Sequence, residues 1–376
     1  MQGLITSSAQ PLRRCFTGFL LLGLLAVAGC AKEDAADDPV VVSKNCQQNF
    51  DPAAAAQGAD CAPTYEQYCP PPPEFDFYST APASCDDVQT GSGSVTVDGA
   101  TSSYIVLSPA PSQKTLAVQS KQDTVGRLLI ALHWAGANGP TMADRMRLRD
   151  LVVAKNMTVV LPDAPGAVPS WGNSVLVPIS TAEQRIAVLD AIIEDVSGPT
   201  KASGPVLVAG VSGGGIMAFQ YACARSESVS GALIVAAEIR PADLEACQPV
   251  SAVATVQIHG SDDLVAPYEP VPLLSPGVEA IFEKLYANNG CVADDLQQVI
   301  LPNPNETFVS DIELNWLREG CASGVGNALI KVNGGGHNWP GFDGPVDVLP
   351  FNIFGPKSTG FDATFQGLEL LGYLGG

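Results

Sequence analysis

Apolar residues recur along this chain in two rhythms. Leu128–Leu132, Met157–Leu161, Pro205–Ala209, Gly231–Ala236, Ala252–Ile258 and Asn327–Val332 are short and almost wholly apolar. Such runs predict strands buried on both faces. Between them, apolar positions fall every three or four residues, which predicts helices over Met142–Ala154, from Ile216 to Cys223, over Val278–Ala287 and over Phe361–Leu374. Ile186, Leu189, Ile192, Ile193 and Val196 form one more helical stripe, with Thr181 and Gln184 spaced as a capping box in front of it. Ser94–Val97 and Ser103–Leu107 read as edge strands joined by a turn at Asp98-Gly99. Buried strands alternating with amphipathic helices predict an α/β fold: a mostly parallel sheet covered on both faces, in one domain over residues 93–376.

Ahead of that domain the rhythm is lost. Arg13 and Arg14 precede a short apolar run from Phe16 to Ala28, which reads as an export signal over residues 1–29 and is too short for a comfortable membrane span. The run ends in Val27-Ala28-Gly29-Cys30, a lipobox-like site that predicts lipid on Cys30, hence membrane anchoring of an exported protein facing the periplasm or the cell exterior. Residues 30–92 are rich in Ala, Asp and Pro and read as a tether stapled by its own cysteines.

Composition narrows the function. The net charge of −20 excludes a nucleic-acid binder, which needs clustered Lys and Arg. Of ten cysteines, Cys15 falls in the signal and Cys30 would carry lipid. The remaining eight divide into Cys46, Cys61, Cys69 and Cys85 early and Cys223, Cys247, Cys291 and Cys321 late. An even count in an exported chain predicts disulfides. Neither group has Cys-x-x-Cys spacing, so no zinc site is expected.

The chemistry centres on Gly210-Val211-Ser212-Gly213-Gly214, a serine between glycines where a strand turns into a helix. That is the nucleophile-elbow pattern. Serine needs a base, and the chain has three histidines. His337, in a Gly-rich loop just past the last parallel strand, lies at the sheet edge where Ser212 is expected. Asp263, at the exit of the preceding strand, is the candidate to orient His337, with Asp262 as rival. The order Ser, Asp, His is that of α/β hydrolases. The backbone N–H of Gly213 is one expected oxyanion donor, and that of Ala135 the other, with Trp134 as its alternative. His133 and His259 read as structural braces.

These pieces together resemble a known group. Leu132-His133 with Asn138, Gly210–Gly214, His259-Gly260 with Asp263 to Tyr268, and Gly335-Gly336-His337-Asn338-Trp339-Pro340-Gly341 look like the motifs of the polyhydroxybutyrate depolymerase and feruloyl/acetyl-xylan esterase group of α/β hydrolases. The resemblance implies a Ser212–His337–Asp263 triad hydrolysing carboxylic esters through an acyl-enzyme, with no metal or cofactor. It also implies disulfides Cys223–Cys247 and Cys291–Cys321. The group usually has glycine where Trp134 stands, so the acyl pocket is expected to be narrowed or re-aimed. Trp171 either lines the cleft with Trp134 and Trp339, stacking on substrate, or packs on the body. A serine peptidase on the same fold, or a non-catalytic surface-binding lipoprotein, are the alternative readings.

Overall fold

The computed structural model describes residues 87–110, 128–166, 169–172, 180–197, 206–303, 308–342 and 354–375. The signal, Cys30 and the early cysteines lie outside them.

Among the described residues ten strands form one sheet. They are β1 (Val88–Val97), β2 (Ala100–Pro109), β3 (Leu128–Leu132), β4 (Thr158–Pro162), β5 (Val206–Val211), β6 (Val229–Val235), β7 (Ala254–Gly260), β8 (Gln297–Pro302), β9 (Asp311–Leu317) and β10 (Asn327–Asn333). The order across the sheet is β1-β2-β4-β3-β5-β6-β7-β10-β9-β8. Strands β4, β3, β5, β6, β7 and β10 are parallel. An antiparallel ribbon closes each side, β1–β2 against β4 and β9–β8 against β10. The β1–β2 turn sits at Asp98 and Gly99, both at positive φ (50° and 78°), the geometry a tight hairpin needs.

Among the described residues there are seven helices: α1 (Gly139–Arg145), α2 (Leu148–Lys155), α3 (Ala182–Ser197), α4 (Gly213–Ala224), α5 (Pro241–Ala246), α6 (Val278–Asn288) and α7 (Phe365–Gly375). Side chains alternate across a strand, so each parallel strand feeds two cores. Leu129 and Ala131 of β3 join residues of α1, α2 and α7, while Leu128, Ile130 and Leu132 join residues of α3, α4 and α6. That is why these strands read as unbroken apolar runs. The sheet order, its parallel centre and the helices on both faces make this an α/β-hydrolase fold.

Four details differ from the sequence reading. The fold takes in residues before 93, since β1 starts at Val88. The helix expected over 142–154 is two helices, because Arg147 stands in the left-handed region (φ 53°) and breaks it. The antiparallel strands β8 and β9 went unforeseen, as did the short helix α5. The last helix starts at Phe365, not Phe361: the Asp362 carboxylate accepts from the N–H groups of Thr364 and Phe365 and caps it. The capping box before α3 is present in both directions, Thr181 N–H to Gln184 Oε1 and Gln184 N–H to Thr181 Oγ1.

Disulfides Cys223–Cys247 and Cys291–Cys321 are both formed. No helix among the described residues is long and apolar enough to cross a membrane.

Candidate active site

Strands β5, β7 and β10 run in parallel, so their carboxyl ends open on one rim. Ser212 leaves β5 at φ 55° and ψ −122°, in a region that side-chain-bearing residues rarely adopt. The turn holds because glycines let backbones meet around it. A Cβ on Gly210 would lie 2.3 Å from the Gly214 carbonyl carbon, and one on Gly213 would lie 2.9 Å from the Gly172 nitrogen. Ser212 N–H donates to Val235 O, and Ser212 O starts helix α4 by accepting from Ile216 N–H. Gly213 is the first residue of that helix, so its N–H belongs to the group with no partner inside the helix.

Asp263 follows β7 and is buried. Its Oδ1 accepts from the N–H groups of Val265 (2.9 Å) and Ala266 (2.7 Å). Its Oδ2 accepts from His337 Nδ1 at 2.8 Å and lies 3.3 Å from His259 Nε2. Burial by itself would raise the Asp263 pKa. Hydrogen bonds from His259 and His337 outweigh it and hold the carboxyl well below the ordinary aspartate range. As a carboxylate it only accepts, so His337 carries its proton on Nδ1, leaving Nε2 as the basic nitrogen. Asp262, by contrast, is exposed and bonded to Ser261 Oγ.

The His337 loop is braced from the far side. Gly334 turns it at φ 83°. Asn338 Nδ2 donates to the carbonyls of Phe354, Gly355 and Pro356, and the Phe354 ring stacks on His337 with centroids 6.0 Å apart.

Ser212 and His337 line one cleft of about 390 Å³, open to solvent. Trp134, Trp339, Phe354 and Val211 give it an apolar wall, and Arg145 and Asn338 are its other lining side chains. Among the described residues no hydrogen bond joins Ser212 Oγ to His337. Catalytic hydrogen bonds are often long before substrate binds.

The loop after β3 crosses the rim beside the elbow. His133 is buried, donates from Nδ1 to Trp134 O (2.7 Å) and accepts at Nε2 from Ala164 N–H (3.0 Å). Burial lowers its pKa, against the hydrogen bond to Trp134 and the charge of Asp163, so it braces the loop as a neutral ring. Gly136 N–H goes to Pro169 O and Ala137 N–H to Trp134 O. Among the described residues the N–H groups of Trp134 and Ala135 carry no such bond. Trp134 lines the cleft, whereas Ala135 is exposed.

Trp171 does not reach the cleft. It is fully buried, belongs to the same apolar cluster as Leu132 and Met217, and lies against the ring of His133. Trp339 shows its ring to the cleft wall but is pinned, its Nε1–H donating to Thr364 Oγ1 at 3.0 Å. His259 Nε2 meets two acceptors, Ala266 O (2.6 Å) and Asp263, so it carries the proton there and ties the aspartate loop to β7. Sequence reasoning missed Arg145 and Phe354. Arg145 sits in a helix that looks amphipathic, and Phe354 lies in a stretch without periodicity.

No family model matches the chain, and no curated protein matches it. Solved structures do. The esterase PE8 is 20% identical, over 57% of this chain and 85% of that one, with a TM-score of 0.40. The acetyl xylan esterase from Aspergillus awamori is 14% identical, over 66% and 94%, with a TM-score of 0.46. A ferulic acid esterase is 14% identical, over 54% and 85%, with a TM-score of 0.36. Likenesses this remote say nothing of activity.

Proposed function

We propose that this chain is a serine esterase of the α/β-hydrolase fold, acting on carboxylic esters. Ser212 Oγ attacks the ester carbonyl while His337 Nε2 takes its proton. Asp263 holds the imidazole and stabilises its charged form. The N–H groups of Gly213 and Ala135, with Trp134 as the alternative to Ala135, receive the developing oxyanion. His337 then protonates the departing alcohol. Water, deprotonated by the same imidazole, releases the acid and restores the serine.

The observation that carries the reading is the 2.8 Å bond from His337 Nδ1 to a buried, four-donor carboxylate, with His337 and an elbow serine on the same cleft. None of this needs a metal or an organic cofactor. Trp134 and Trp339 are the expected substrate contacts. The two disulfides fit an oxidising compartment. They accord with an exported protein, tethered by residues 30–92 to lipid on Cys30.

Ser212→Ala, assayed on short p-nitrophenyl esters, tests the reading. Turnover should fall to background and labelling by a fluorophosphonate should vanish. Undiminished turnover would refute it. A chain that cleaves amides as fast as matched esters would be a peptidase instead.

A further inference from the structure

The buried carboxylate of Asp263 serves two imidazoles, of which His337 lines the cleft and His259 does not. His259 stands in β7 and is buried. Its Nε2 lies 2.6 Å from Ala266 O and 3.3 Å from Asp263 Oδ2, so one N–H faces both oxygens. Ala266 N–H in turn donates to Asp263 Oδ1 at 2.7 Å. His259 therefore holds the carboxylate twice, directly at Oδ2 and through Ala266 at Oδ1. The ring is itself set edge-on to the buried Tyr268, with centroids 6.0 Å apart. Its Nδ1 is buried and meets no hydrogen-bond partner among the described residues. A second proton there would be a buried donor without an acceptor, so the ring acts as a neutral donor through Nε2.

A carboxylate oxygen shared by two donors gives less to each. The His259 N–H takes up part of the charge on Oδ2 that would otherwise stabilise His337 once it is protonated. We propose that His259 is a positioning residue of the hydrolysis: it aims Asp263 and damps its charge, so that His337 stays a free base further into the acid range. This role rests on the esterase reading. His259 acts through Asp263 and takes no proton itself.

Other charged groups face this network from neighbouring elements. Glu238, after β6, feels both Asp263 and His259: burial and the Asp263 charge push its carboxyl up, against the pull of His259. Lys331 of β10 is in register with His259 and has its Nζ 4.5 Å from the Tyr268 ring centroid. The Tyr268 hydroxyl lies 3.4 Å from Glu279 Oε1 of α6. Asp262, next to Asp263 in the chain, is exposed and bonded to Ser261. Glu238 is the neighbour whose titration has to be separated from that of His337.

The test follows kcat/KM against pH for p-nitrophenyl acetate, a substrate with no titrating group. His259→Leu removes the donor, whereas His259→Gln keeps an N–H at the place of Nε2. In His259→Leu the acid limb should move up by about half to one pH unit, the worth of one hydrogen bond, and the plateau should fall. In His259→Gln the limb should return towards that of the parent. A limb that stays in place in His259→Leu, with only the melting temperature and the plateau lowered, would mean a role in folding alone and overturn the assignment. The same comparison in a Glu238→Gln background should show the same shift, and a shift that vanishes there would belong to Glu238 instead. The chain has three histidines, so ¹⁵N-histidine NMR of the parent can follow each ring. His259 should keep one proton, on Nε2, throughout the range in which His337 titrates. A second proton on His259 in that range would overturn the assignment even where His259→Leu fails to fold. A parent that turns over no ester brings down the esterase reading, and this one with it. An active parent whose acid limb ignores His259→Leu brings down this one alone.

Discussion

His259 and His337 meet on one oxygen. Nε2 of the first lies 3.3 Å, and Nδ1 of the second 2.8 Å, from Asp263 Oδ2. Both must donate to it, so Asp263 orients two imidazoles at once. Asp263→Asn puts an amide where a pure acceptor is needed. One ring then loses its partner, and His337 is free to take the wrong tautomer. Kcat should fall about 10³- to 10⁴-fold with KM little changed. The same variant has a pH signature. The folded pKa of Asp263 lies well below the unfolded value of about 4, so its stabilising effect is present above pH 4 and lost as acid lowers the pH below that. The melting-temperature gap between parent and Asp263→Asn should be widest at neutral pH and narrow below pH 4.

Ser212 stores backbone strain at φ 55°, where a Cβ is disfavoured. Ser212→Ala keeps the Cβ and loses the hydroxyl. Ser212→Gly loses both. Both variants should be inactive, yet the glycine variant should be the more stable, by about 1 kcal/mol. That reverses the usual order of glycine and alanine. Thermal melts of the two side by side decide it, and alanine melting higher would remove the strain argument.

Much of this site was legible because tight geometry leaves marks in sequence. Gly210 and Gly214 flank Ser212 because any Cβ would strike backbone, and Gly260 precedes the aspartate loop because its Cβ would lie 2.2 Å from Gly335 O. The parallel strands were legible because both their faces are buried. What escaped had no such mark. Nothing around Arg147 signals a break; its left-handed φ accompanies ion pairs to Asp150 and to the distant Asp362. β8 is exposed along its whole length, so no apolar alternation announces it. In β9 the buried Asn315 accepts from Gln298 across the ribbon and donates to Glu313 along its own strand, which puts a polar residue where a strand pattern would show an apolar one. Trp171 stands on a loop, and only tertiary packing decides that its ring turns inward.

The disulfides should matter for stability and not for rate. Cys223 and Cys247 close 24 residues, Cys291 and Cys321 close 30, and none of the four lines the cleft. Replacing Cys291 and Cys321 together by alanine should cost about 3 kcal/mol through the freed unfolded chain, seen as a melting temperature lower by several degrees. Kcat at 25 °C should stay within twofold of the parent. A large drop in kcat in a variant that still melts cooperatively would tie this bridge to the rim.

Two glycine-to-alanine changes in helices should move stability in opposite directions. Alanine is the better helix former by about 1 kcal/mol, which by itself favours both. Gly372, in α7, has nothing within 4 Å of the new methyl, so Gly372→Ala should stabilise by roughly that amount. Gly214 lies in the first turn of α4, where the methyl would sit 2.1 Å from Leu132 O and 2.8 Å from His133 O. Those are backbone atoms at the start of the loop that offers the Trp134 and Ala135 N–H groups, and they cannot rotate aside. Either α4 or that loop must shift. Gly214→Ala should therefore destabilise by about 2 kcal/mol, and kcat should fall at least tenfold because the serine and the proposed oxyanion donors move apart. Urea melts and ester turnover measured on both variants check the pair. A Gly214→Ala protein as stable and as active as the parent would mean that the elbow and the loop do not pack as tightly as described.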